Sequence, residues 1–164
     1  MLLLLIRHAH AGDRDPDRWP DDRDRPLTDK GRKTQRRVSH ALGKLDLIPA
    51  KVLTSPWIRA AQTAEILARE LGLAHPPIPC EALATVPDPI RLADDIGDPG
   101  TDAIVALVGH SPWMEELAAI LLADSATGLR MDFPKSGVMG IDLEKPAPGA
   151  GELRFFLRPG MVSR

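Results

Sequence analysis

Five apolar residues in succession, Leu2-Leu3-Leu4-Leu5-Ile6, run directly into Arg7-His8. A half-buried strand alternates apolar with polar residues, whereas an unbroken run marks a strand covered on both faces. The run is too short to cross a membrane, and no other stretch approaches the roughly 18 apolar residues of a span. It therefore reads as a buried strand of a layered α/β sheet. In such sheets ligands bind beyond the carboxyl ends of the strands. Arg7, His8, Ala9 and His10 stand at that place.

Two more segments follow the same plan. Lys51-Val52-Leu53-Thr54 is a short strand, and Ala103–Val108 is apolar throughout. Helical patterns separate them. Thr28 caps a helix to about Leu45, with Val38, Ala41, Leu42 and Leu45 on one face. Ser55-Pro56 and Ser111-Pro112 each read as an N-cap followed by proline at the first helical position. Those helices run to Leu71, where Gly72 ends the first, and over Trp113–Leu122. Asp88-Pro89 opens a shorter helix over 90–96. A minor strand is expected around Ile78 within a proline-rich stretch, and Val138–Leu143 and Glu152–Leu157 form a terminal hairpin. Strands separated by helices imply parallel pairing with helices on both faces. The expected fold is a three-layer α/β/α arrangement with a mostly parallel sheet and a C-terminal antiparallel hairpin.

The 164 residues fit one domain over 1–164, without internal repeats. A net charge of -2 and a pI near 6.2 give no electrostatic reason to expect nucleic acid or an anionic membrane as partner. The single cysteine, Cys80, excludes an intrachain disulfide framework and reads as a small apolar residue. The opening apolar run lacks a basic flank and a cleavage site, so it is not a signal peptide. A cytoplasmic protein is expected.

Each of the three main strands is followed by a polar segment of unusual content. The first gives Arg7 and His8, the second Ser55-Pro56-Trp57-Ile58-Arg59-Ala60-Ala61-Gln62-Thr63-Ala64, and the third Gly109-His110-Ser111-Pro112. All three would lie on one sheet edge. Two of them open helices, whose free N–H groups favour an anion. Two arginines and two histidines gathered there could surround a phosphoryl group.

These blocks, RHAHA at 7–11, LTDKG at 27–31, SPWIRAAQTA at 55–64 and VGHSP at 108–112, resemble the histidine phosphatases of the phosphoglycerate-mutase-like superfamily. Order and spacing agree. The shortness of the chain makes it most similar to the small bacterial phosphohistidine phosphatases of the SixA type. The resemblance implies that His8 is a nucleophile forming a phosphohistidine intermediate. It implies that Arg7 and Arg59 clamp phosphate, since a guanidinium fork matches two phosphoryl oxygens. His110 would donate to a transferring oxygen. No cofactor or metal is implied. Many relatives carry a glutamate as general acid after the second helix, and Glu81 holds that position. Ser111 would assist through its backbone N–H. The family's glycine after the nucleophile is Ala9 here, and His10 replaces a small polar or acidic residue.

Other features have plainer readings. His40 and His75 are surface histidines. In residues 12–26, GDRDPDRWPDDRDRP, arginines and aspartates largely offset one another, which describes a solvated loop, with a border on the site as the alternative because it leaves directly from the His8 strand end. Thr28 and Gly31 shape a helix start. Ser136-Gly137 reads as a turn near the site. The expected substrate is a phosphohistidine-bearing protein, because about 30 residues between Gly72 and Ala103 are too few for a large cap. A small phosphomonoester is the alternative, and an inactive phospho-binding module is the alternative of another class.

Overall fold

A computed structural model describes residues 1–100 and 102–162. Six strands form one sheet in the order β3-β2-β4-β1-β5-β6. The strands are β1 (Leu2–Arg7), β2 (Lys51–Thr54), β3 (Ile78–Pro79), β4 (Ile104–Gly109), β5 (Val138–Asp142) and β6 (Glu152–Leu157). The helices are α1 (Asp29–Lys44), α2 (Ile58–Leu71), α3 (Pro89–Ile96) and α4 (Trp113–Ala123). Strands β1, β2, β3 and β4 pair in parallel, while β5 runs antiparallel to β1 and β6 antiparallel to β5. The expected α/β fold, with its mostly parallel sheet and terminal hairpin, is the one observed.

The unbroken apolar run of β1 has a direct explanation. Successive side chains point to opposite faces, and both faces are covered. Leu3 and Leu5 enter a core with Leu92 and Ile96 of α3 and Leu117 and Leu121 of α4. Leu4 and Ile6 enter a second core with Val38 and Leu42 of α1 and Ala64 and Leu67 of α2. The sheet is thus the middle of three layers.

Three local expectations need correction. Leu45 does not share the buried face of α1. It is the C-cap, its backbone has left the helical region, and its side chain is 60% exposed. Neither serine-proline pair opens its helix as expected. The N-caps of α2 and α4 are Trp57 and Pro112, without side-chain caps, and the two serine hydroxyls are used elsewhere. Thr28 does cap α1, accepting from the Gly31 N–H at 3.1 Å. Asp88 caps α3, with Pro89 in its first turn.

Candidate active site

Adjacency in the sheet gathers the site. Strands β2, β4 and β1 are neighbours and run the same way, so their carboxyl ends lie side by side. The ladder continues one residue beyond each end. Ser55 N–H donates to the Val108 carbonyl and His8 N–H to the Gly109 carbonyl, both at 2.9 Å. The His8 and His110 rings consequently stand 5.1 Å apart.

His8 is held in one tautomer. Its Nδ1 lies 2.7 Å from the Ala9 carbonyl, which can only accept, so Nδ1 carries the proton. The lone pair of Nε2 is left for chemistry. Burial, and then the neighbouring His110, Arg59 and Arg7, push the His8 pKa down to about 2, against the opposing pull of the Ala9 carbonyl. The ring is neutral at physiological pH.

His110 is fixed by Ser55. Its Nε2 lies 2.8 Å from the buried Ser55 Oγ, which also accepts the Trp57 N–H at 3.3 Å. Among the described residues, Nε2 is the acceptor within reach of the Ser55 hydroxyl proton. Nε2 therefore accepts and Nδ1 bears the proton, buried and without a partner. Burial, and then Arg59, lower the His110 pKa to about 3.

Both arginines are gripped at one side and open at another. A guanidinium has an end-on edge, Nη1 with Nη2, and a side-on edge, Nε with Nη2. Arg59 is 4% exposed. Its end-on edge meets Asp22, with Nη1 donating to the backbone carbonyl at 2.7 Å and Nη2 lying 3.2 Å from the carboxylate. Arg7 Nη1 donates to the Phe133 carbonyl at 2.6 Å. In both arginines Nε is buried and unpartnered. An orphaned buried donor costs about 1–3 kcal/mol. Three of them on the residues around His8 form a set of donors suited to an oxyanion.

The motif blocks each have a mechanical role. On α2, Arg59, Gln62 and Thr63 share a face through their i, i+3 and i+4 spacing. Thr63 accepts the Ala9 N–H at 3.0 Å, next to His8. Gln62 accepts the Leu27 N–H at 2.9 Å and anchors the chain that leads into α1. The His10 carbonyl accepts from both the N–H and the hydroxyl of Thr28. Gly31 is required there, because a Cβ would overlap that carbonyl. The His10 ring is partly buried, and its Nδ1 accepts the Gly12 N–H at 3.2 Å.

Thus Arg7, His8, Arg59 and His110 are brought together. Glu81 is exposed on a single 3-10 turn (Glu81–Ala84) and makes no hydrogen bond or ion pair with the four among the described residues. The Ser111 hydroxyl donates to Glu115 at 2.6 Å. His75 is exposed, and His40 pairs with Glu70 on the surface at 2.8 Å. Cys80 is buried, and burial, with Asp95 beside it, raises its pKa to about 11, so it is an inert thiol.

Sequence reasoning missed the roles of Trp57 and Lys135, and placed Ser136 only in a turn near the site. Trp57 packs on both Arg59 and His110, with its ring centre 4.7 Å from the guanidinium carbon and 4.4 Å from the imidazole. Lys135 is partly buried, and burial, together with the charges of Arg7 and Arg25, lowers its pKa. Ser136, buried at a left-handed φ of 60°, donates its N–H to the carbonyls of Arg7 and His8. The turn expected at Ser136-Gly137 therefore does border this edge. Asp22 belongs to the segment read as a solvated loop; that reading is corrected here, since Arg59 and Arg25 both hold its carboxylate.

Comparison with known proteins identifies the fold and the family. A protein from Picosynechococcus, itself uncharacterised, is 37% identical over 151 residues, covering 86% of this chain and 84% of its own. The tungstate complex of the protein histidine phosphatase SixA superposes with a TM-score of 0.82 at 24% identity, over 99% of this chain and 100% of that one. A structure from Agrobacterium tumefaciens named for the phosphohistidine phosphatase SixA gives 0.74 at 25% identity, over 97% and 98%. A phosphoserine phosphatase from Entamoeba histolytica gives 0.69 at 15% identity, over 96% and 97%. The family model of the histidine phosphatase superfamily, branch 1, matches residues 3–85. With that match and the Picosynechococcus relative, the chain belongs to the histidine phosphatase superfamily.

Proposed function

We propose that this protein is a phosphatase that passes a phosphoryl group through His8 to water, and that its substrate is phosphohistidine on a protein. The observation that carries the reading is the state of His8: Nδ1 tied to a carbonyl, Nε2 unprotonated, and three unpartnered donors on the residues around it. Nε2 attacks phosphorus, and a P–N bond to the enzyme forms as the bond to the leaving group breaks. Arg7 and Arg59 take the equatorial oxygens through their free side-on edges. His110 donates from Nδ1 to an oxygen whose charge grows in the transition state. Water then attacks the phosphoenzyme, releasing inorganic phosphate and regenerating His8. The residues of this chain supply the positive charge in each step.

Two observations support a protein substrate. Among the described residues, the segment between α2 and β4 holds β3, one 3-10 turn and the eight-residue α3, and α3 packs into the core with α4 rather than forming a cap. A projecting phospho-imidazole could reach such a site. The chain also matches the SixA structure from end to end. Imidazole departs readily once protonated, which lowers the demand for a carboxylic acid at Glu81.

The test is rapid quench of labelled phosphate from a phosphohistidine protein, compared with a panel of small phosphomonoesters. Acid-labile label should appear on the wild type and vanish in His8→Ala. Faster turnover of phosphomonoesters than of the phosphoprotein would move the substrate to a small metabolite, with Glu81 as the acid to examine. No label under any condition would leave a phospho-binding module.

A further inference from the structure

Residues 12–26 carry four arginines and six aspartates and look like solvated surface. The structure ties them to the catalytic edge through one residue. Asp22 begins a single 3-10 turn (Asp22–Asp24) and is only partly exposed. Arg25 binds both of its carboxylate oxygens, at 2.8 and 3.2 Å. Arg25 itself is anchored to the Gly12 carbonyl at 2.7 Å, so the two ends of the segment are stapled together. From this frame Asp22 reaches Arg59 with its backbone carbonyl and its side chain at once.

The edge it engages matters. Contacts to Nη1 and Nη2 occupy the end-on edge of Arg59 and leave Nε with the second Nη2 proton. Those are the side-on donors, of which Nε is buried and unpartnered. Trp57 lies against the guanidinium and restricts it further. A free arginine side chain surrenders rotamer freedom when it is ordered. Here that ordering is completed on folding, and a ligand meets a fork already aimed.

We propose that Asp22 is a positioning residue for phosphoryl transfer, acting through Arg59, so that the 12–26 segment is part of the catalytic apparatus. This rests on the reading of Arg59 as a phosphoryl clamp. Asp22 touches no substrate atom. It holds the guanidinium by the edge that the phosphoryl group does not use. The contact could also be read as a resident anion that a phosphoryl group must displace, and that reading predicts the opposite response to removal of the carboxylate.

The test is a double-mutant cycle in the full chain with Asp22→Ala, Arg59→Ala and the double variant. Two readouts serve: kcat and KM on the phosphohistidine protein, and orthovanadate binding followed by tryptophan fluorescence, which needs no turnover. In the wild-type background Asp22→Ala should lower kcat/KM about 30-fold, mostly in kcat, and weaken vanadate binding by at least tenfold. In the Arg59→Ala background the same change should cost less than about twofold. Asp22→Asn retains the backbone carbonyl and an oxygen acceptor, and should recover most of the loss. Tighter vanadate binding in Asp22→Ala would overturn the proposal in favour of a resident competitor. An equal loss in both backgrounds would overturn it in favour of a loop that merely supports folding. If Arg59→Ala alone leaves vanadate binding intact, the clamp reading fails first, and that result is distinct from either of the others.

Discussion

The two edges of the sheet differ in kind: one carries an open cavity, the other a cluster of largely buried arginines and histidines. At the amino end of β1, Met1, Asp94, Asp98, Asp142, Glu144 and Lys145 help to line a cavity of about 1010 Å³. Its polar groups are mostly exposed acids, each free to meet water. At the carboxyl end Arg7, His8, Arg59 and His110 stand together, and three of the four are almost fully buried. Volume therefore does not mark the reactive edge. A cluster of unsatisfied donors does: Nε of Arg7, Nε of Arg59 and Nδ1 of His110 lie together there, whereas Arg37 Nε stands apart on α1.

This contrast can be broken or sharpened by measurement. The largest effect is expected for Arg59→Ala, which removes a side-on fork and should lower kcat/KM by about 100- to 1,000-fold, more in kcat than in KM. Steady-state kinetics showing an unchanged kcat/KM would end its assignment as a clamp. Ser55→Ala removes the group that sets the His110 tautomer. It should reduce kcat by about tenfold with little change in KM, since the ring can then place its proton on either nitrogen.

A third consequence concerns stability. The two buried histidines refuse protons until about pH 2 and pH 3, whereas their ordinary pKa is 6.5. Below 6.5 the unfolded chain binds protons that the folded chain does not, so stability is fully present above that pH and declines as it falls. The slope is at most about 1.4 kcal/mol per pH unit for each histidine. Urea denaturation at pH 7 and pH 5 should show it, and His8→Asn with His110→Asn should flatten it. The smallest effect belongs to the other edge. Asp94→Asn and Lys145→Ala should leave kcat/KM within about twofold, and a larger loss would shift attention to the wider cavity.

Much of the reactive edge was readable because strand, turn and helix signals coincide there. The apolar runs of β1, β2 and β4 stop where polar residues begin, and parallel pairing then forces those stops together. Ser55 and Ser111 were misread as caps because serine before proline is also the ordinary helix-start signal; only the third dimension shows Ser55 turned toward His110. Asp22 was unreadable for a different reason. In a segment of alternating aspartate and arginine, every acid has a nearby base, and nothing local selects the one that meets an arginine 37 positions onward. Lys135 and Ser136 reach the edge because β5 runs antiparallel to β1, which a hairpin signal alone does not reveal. Glu81 follows the second helix, but among the described residues its exposed turn makes no polar link to the other four residues.

That antiparallel β5 also bears on how the chain is made. Strand β1 is synthesised before both its partners, β4 and β5, which come more than 95 residues later. At about 5–20 residues per second, the leucine-rich segment waits some seconds with its ladder unpaired and both apolar faces uncovered. Such long-range pairing slows folding and exposes a sticky strand. The feature that lets β1 be covered on both faces in the finished fold makes it a vulnerable part of the nascent chain.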